Sequence, residues 1–156
     1  MKALPILLAL VFIACEKVDE EAPFLYLPGY WEFLAFWSPQ KSPAELEHFV
    51  ANFQARSEAY WAIEYDGSRV LPFSGQTMVN RFYGKLYAGA GDNLSMAQWQ
   101  ASTGNGPEEI LVFEKRFLQA MENIRSFQIK TTETGVSYLI LYYTKKGDSL
   151  IFRRKK

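Results

Sequence analysis

The sequence predicts an α+β fold: a curved antiparallel sheet or partial β-barrel, with one helix packed across it and an extra helix inserted near its start. Three observations lead there. Short β-favouring runs punctuated by tight-turn dipeptides recur along the chain, and two segments carry apolar residues at helical spacing. In addition, 12 Phe, 9 Tyr and 4 Trp among 156 residues supply a large core.

After Pro28-Gly29, residues 30–37 mix apolar and β-favouring side chains and read as the first strand. Ser42-Pro43-Ala44-Glu45 has capping-box spacing with proline at the first helical position, and Leu46, Phe49, Val50 and Phe53 follow on one helical face. That predicts the inserted helix over residues 43–57. Residues 60–65 and 68–73 read as a hairpin about Asp66-Gly67. A second pair of strands, 77–87 and 93–100, flanks Gly89-Ala90-Gly91-Asp92.

The loop Ser102-Thr103-Gly104-Asn105-Gly106 precedes the second helix, which Pro107-Glu108-Glu109 opens with carboxylates where the helix dipole favours negative charge. Ile110, Phe113, Phe117, Met121 and Ile124 form one stripe, so this helix is expected to lie across the sheet and fill its core. Strands at 126–132, 136–144 and 149–153 close the chain as a meander through Thr134-Gly135 and Lys146-Gly147-Asp148. The nearly all-apolar run at 136–143 marks a central strand.

Ahead of this domain stands a different kind of segment. Met1-Lys2 is positively charged, and residues 3–14 are almost wholly apolar, a run shorter than the roughly 20 residues of a spanning helix but suited to a secretory signal. It ends in Phe12-Ile13-Ala14-Cys15, which resembles the bacterial lipoprotein signal, with Phe12 where Leu is usual. The resemblance implies cleavage before Cys15, alkylation of its thiol by a diacylglycerol and acylation of the new amine. Two or more acyl chains anchor a protein stably at a membrane, whereas one binds marginally. Residues 1–14 are thus expected to be the signal, 15–23 an acidic tether and 24–156 the domain. The run Glu16-Lys17-Val18-Asp19-Glu20-Glu21 has no apolar periodicity, as a solvated tether requires, and it also resembles export signals of surface lipoproteins in Bacteroidetes-type bacteria. A soluble secreted chain and a cytosolic one with an apolar first helix are the alternatives.

Composition bounds the chemistry. A balance of 17 basic against 17 acidic residues argues against a nucleic-acid partner, whose phosphates demand clustered cations. The apolar content of 49% argues against disorder. One Cys closes no intrachain disulfide and builds no thiolate zinc site.

The segment Ser74-Gly75, followed by Val79-Asn80-Arg81-Phe82-Tyr83-Gly84-Lys85-Leu86-Tyr87, resembles the Gly-rich strand pair of the META/HslJ family. Further similarities follow in order: Ser102-Thr103 at the end of a strand, Phe117 and Leu118 on the helix, and residues 137–152 as the closing hairpin. The resemblance implies a non-catalytic, lipid-anchored envelope protein of a Gram-negative bacterium, acting in envelope integrity or stress tolerance by binding another envelope component. Many relatives carry a Cys where this chain has Val79 and another at about Gly106, so the family's occasional cross-loop disulfide is missing here. The inserted helix looks like an addition to the compact domain and is where specificity particular to this chain is expected.

The residue types carry their own physical meaning. Gly75 and Gly84 permit close backbone approach or a bulge, and Asn80 satisfies backbone groups at a strand edge through its amide. With Arg81, Phe82, Tyr87 and Thr103 they read as a structural motif rather than a ligand site.

No catalytic residue, metal ligand or cofactor site emerges. His48 lacks a supporting Ser, Cys or Asp at useful spacing, Glu108 and Glu109 are adjacent on a helix and do not face one another, and Gly89-Ala90-Gly91 lacks the helix a dinucleotide loop needs. The candidate binding residues are aromatic. Tyr30, Trp31, Trp37 and Trp61 flank the inserted helix and either fill the core or line an apolar pocket, while Trp99 near Thr103 borders a loop cleft. Arg153-Arg154-Lys155-Lys156 with Lys145-Lys146 makes a basic end, either a solvated terminus or an attractor for anionic lipid or envelope polysaccharide. The expected partners are a membrane through the lipid anchor and an envelope protein or small ligand, with the protein at the outer membrane. The competing expectations are a lipocalin-like carrier with a deep apolar cavity and a loop-mediated inhibitor of an envelope protease.

Overall fold

A computed structural model of the chain describes residues 22–40 and 59–155. Eight strands form one antiparallel sheet in the order β5-β4-β3-β2-β1-β8-β7-β6. They are β1 (Gly29–Trp37), β2 (Tyr60–Ile63), β3 (Val70–Gln76), β4 (Arg81–Ala88), β5 (Leu94–Ala101), β6 (Ser126–Thr131), β7 (Ser137–Tyr142) and β8 (Ser149–Arg154). A 3-10 turn (Pro23–Tyr26) precedes β1, and helix α1 (Glu108–Glu122) joins β5 to β6. The sheet curls until its two edges meet at one corner. There the Leu94 amide donates to the Arg125 carbonyl and the Phe127 amide to the Asp92 carbonyl, each at 3.0 Å, about an isolated Asn93–Ser126 bridge.

The expected α+β half-barrel is therefore what the chain builds. The predicted inserted helix at 43–57, with His48, lies outside the described residues, as do Cys15 and the leader. Helix α1 crosses the concave face and buries Phe117, Ala120 and Met121. Phe117 is the keystone, its ring 5.3 Å from Phe33, 5.7 Å from Phe82 and 6.3 Å from Phe152. Ile124 is buried just beyond the helix, whereas Ile110 and Phe113 at its start are half-buried.

Curvature comes from two bulges and two glycines. In β1 the register shifts between Phe33 and Ala35, so Phe33 and Phe36, three residues apart, both belong to the core cluster. Between β3 and β4, Gly75 pairs with Phe82 and Phe73 with Gly84, each glycine opposite an aromatic ring. A β-carbon on Gly75 would meet Phe82 Cζ at 2.3 Å; one on Gly84 would meet the Gln98 carbonyl oxygen at 2.0 Å. The β4–β5 register shifts immediately after Lys85, beside Gly84. Close approach and a bulge, the two expectations for these glycines, are both present.

Three expectations need correction. Residues 77–80 begin no strand: they form the β3–β4 turn, closed by the Thr77 amide donating to the Asn80 carbonyl at 2.8 Å, and β4 starts at Arg81. The 136–143 run forms β7, which lies one strand in from the β6 edge, while β1 and β2 hold the centre. The basic end is exposed at Arg154 and Lys155, but up to Lys155 it is tied to the sheet and not a loose tail. Arg153 and Arg154 belong to β8, and the Lys155 amide donates to the Tyr30 carbonyl at 2.9 Å.

Candidate functional site

The motif strand separates two environments by simple alternation. Phe82, Leu86 and Ala88 point into the core, whereas Arg81, Tyr83, Lys85 and Tyr87 point out. Below β4, the β3–β4 turn encloses a buried polar centre built on Glu114 of α1, a residue 2% exposed. Its Oε2 accepts from the Thr77 hydroxyl at 2.5 Å and from Asn80 Nδ2 at 2.9 Å, and its Oε1 from the Val79 amide at 3.4 Å. Among the described residues no cation pairs with it. Neutral donors alone hold the carboxylate, which makes each of them energetically important.

Asn80 is the hinge of this centre. Its side-chain oxygen accepts from the Gly104 amide at 2.6 Å and from the Ser102 hydroxyl at 3.3 Å, so one amide fastens helix, turn and loop together. Asn80 thus satisfies a backbone group through its amide, as expected, but the residue itself is buried and the group it serves is the Gly104 amide of the loop that follows edge strand β5. Ser102, not the exposed Thr103, is the wired member of that pair, since Ser102 Oγ also accepts from the Arg81 amide at 2.9 Å. Glu114 is not among the expected site residues, although the sequence carries a signal for it. It falls on the apolar stripe of α1, four residues after Ile110 and three before Phe117.

The outer surface of β4 and β5 is the broadest exposed feature of the motif. Tyr83 and Tyr87 are 56% and 49% exposed and alternate with the exposed Arg81 and Lys85. Tyr83 donates its hydroxyl to Gln100 Oε1, and Gln98 of β5 lies opposite Lys85 of β4. A shallow groove of about 350 Å³ lies along Tyr83, Gln98, Trp99 and Gln100. Cations, phenols and amides side by side suit a polar, anionic partner of extended shape.

The remaining candidate residues do not converge on one place. Trp31 and Trp61 face each other across β1 and β2 with no exposure, and Trp31 Nε1 donates to the Leu27 carbonyl at 2.8 Å. Together with Phe33 and Phe152, they fill the concavity that an apolar carrier leaves open. Tyr30 stacks on Tyr60 at 4.7 Å on the outer face, and Trp37 is half-buried at the far end of β1. Trp99 leans inward, 5.5 Å from Phe82.

Cations cap this first strand. Arg153 pairs with Glu32 at 2.6 Å, the Arg154 guanidinium lies 5.1 Å from the Trp31 ring, and Lys155 lies 5.7 Å from Tyr30. At the β2–β3 turn the Ser68 hydroxyl and amide hold the Asp66 carboxyl below its ordinary pKa. Among the described residues no cluster of His, Cys, Asp or Glu is placed to hold a metal, and no helix is long and apolar enough to cross a membrane.

Residues 45–156 match the META domain family. The chain belongs to that family. The matched span begins after β1, yet β1 pairs with both β2 and β8 and sits at the middle of this META domain's sheet. An NMR structure of a protein from Burkholderia xenovorans shares the fold, with a TM-score of 0.59 and 17% identity over 85% of this chain and 87% of that one. No curated protein matches the sequence.

Proposed function

We propose that this META domain protein is a lipid-anchored, non-catalytic component of a bacterial envelope, held at the outer membrane through Cys15. It acts by binding another envelope component on the outer face of β4 and β5. Cys15 carries the proposal: it is the single Cys of the chain, it ends the apolar leader, and it stands directly before an acidic tether. The buried centre supports a binding rather than a catalytic role, because Glu114 is directed at Thr77, Asn80 and Val79.

Metabolic labelling with a radiolabelled fatty acid, followed by membrane fractionation, tests the anchor. The native chain is expected to carry label and pellet with outer membranes, and Cys15→Ser to lose both properties. A Cys15→Ser protein that still pellets overturns the anchor. Photocrosslinking from position 83 in intact envelopes tests the binding face, with a discrete adduct expected there and none from a buried position such as 117.

A further inference from the structure

The 3-10 turn sets an apolar patch beside the point where the chain enters the fold. Leu25 and Tyr26 are 44% and 48% exposed, and Tyr65 on the β2–β3 turn is 47% exposed. They lie at one end of the domain, because the Phe24 ring of the 3-10 turn lies 6.4 Å from the Tyr65 ring and 5.1 Å from the Arg69 guanidinium, while Tyr26 lines a neighbouring groove with Asp92, Phe127 and Tyr142. An exposed leucine and two exposed tyrosines at one end of the domain suit the boundary between acyl chains and headgroups, where amphipathic tyrosine rings concentrate.

Chain length adds a second, independent observation. Seven residues lead from Cys15 to Ala22, and even fully extended they reach at most about 25 Å. A domain of this size measures roughly 36 Å across. A lipid on Cys15 therefore keeps the entry end of the domain nearest the bilayer, and the 3-10 turn is that end. Glu64 and Asp66 share the β2–β3 turn with Arg69, so the patch carries no net positive charge. Its attraction to a membrane is apolar rather than electrostatic.

Building on the lipid anchor, we propose that this patch is a bilayer contact. Leu25 and the rings of Tyr26 and Tyr65 lie in the headgroup region and hold the domain in one orientation. The opposite end, with the β3–β4 turn and the 102–106 loop fastened to it through Asn80, points away from the membrane. The length of β3 separates the two ends, seven residues or about 23 Å.

The test uses the full-length mature protein in phosphatidylethanolamine and phosphatidylglycerol vesicles with brominated acyl chains. With Cys15 acylated, a cysteine introduced by Tyr65→Cys or Asn105→Cys is the sole free thiol and takes a fluorescent label cleanly. Bromine is expected to quench the label at 65 at least about threefold more strongly than at 105, because the interface is reached from one end only. Raising salt from about 0.05 to 0.5 M is expected to leave that ratio unchanged, since screening acts on charges. A Leu25→Asp/Tyr26→Asp protein is expected to stay vesicle-bound and fold normally by circular dichroism while losing the difference. Equal quenching at 65 and 105 in an acylated chain overturns the contact and leaves the anchor standing. A mature chain whose mass shows no acyl group on Cys15 overturns the anchor and the contact with it.

Discussion

A β-carbon placed on Gly106 lies 3.2 Å from Cγ1 of Val79, so the loop before α1 is folded down on the β3–β4 turn. By resemblance these are about the two positions at which relatives carry cysteines, and here a side chain on Gly106 would touch Val79. Gly106 is not among the glycines with positive φ, so a side chain there meets no backbone strain. Val79→Cys/Gly106→Cys, made with Cys15→Ser, is expected to close a disulfide around a loop of some 27 residues and to stabilise the domain by about 3 to 4 kcal/mol on chain-entropy grounds. Urea unfolding of the oxidised and reduced forms measures the gain. Thiols that stay free under oxidising conditions would show that the loop does not rest on the turn.

Gly84 and Gly67 present opposite constraints and should respond differently to alanine. A β-carbon on Gly84 meets the Gln98 carbonyl oxygen at 2.0 Å, which forces β4 and β5 apart beside their bulge. Gly84→Ala is expected to cost about 3 kcal/mol or more, in the range reserved for overpacking. Gly67 has open space around it but a φ of +93°, so Gly67→Ala meets only backbone strain, about 1 to 2 kcal/mol. Thermal and chemical denaturation of the two variants compares them, and an equal loss would contradict the close approach at Gly84.

Much of this sheet was legible because its signals are local. Asp66-Gly67 marks a turn through the φ that glycine permits, and the α1 stripe marks its buried face through spacing alone. The errors fall where a distant partner decides. Residues 77–80 look β-favouring, but Glu114 gathers the Thr77 hydroxyl, the Val79 amide and the Asn80 side chain from more than thirty residues away. Arg154 and Lys155 look like a charged tail until β1, over a hundred residues earlier, supplies a backbone ladder and two aromatic faces. The outer row Arg81, Tyr83, Lys85 and Tyr87 is legible from its period of two, because it alternates with the buried Phe82, Leu86 and Ala88 along a single strand.

Asn80→Ala removes the donor to Glu114 and the acceptor for the Gly104 amide in one step. A buried carboxylate then loses one of its neutral donors while a half-buried loop amide loses its acceptor. The expected cost is about 3 kcal/mol, above that of an ordinary hydrogen bond, because the groups left behind stay desolvated. Hydrogen exchange should also speed up at the Gly104 and Val79 amides while the β7 and β8 amides keep their protection. A loss below about 1 kcal/mol would reduce this centre to an ordinary surface turn.

Asp66 gives a pH signature with a definite sign. The Ser68 side chain beside it and the Ser68 amide, which donates to the carboxyl at 3.0 Å, favour the charged form, and Lys85 adds a weaker attraction, so its pKa lies below the ordinary value of 3.8. The folded state thus favours the ionised form more than the unfolded state does. The stabilisation is complete above the unfolded pKa and disappears as pH falls through the lower, folded one. Because the group is fully exposed, solvent and salt screen the effect, and its clearest readout is the titration itself. An NMR titration of the Asp66 carboxyl is expected to show a midpoint below that of an unperturbed aspartate, and Ser68→Ala is expected to move it back up. A midpoint unmoved by that substitution would mean that the turn hydrogen bonds do not set the ionisation of Asp66.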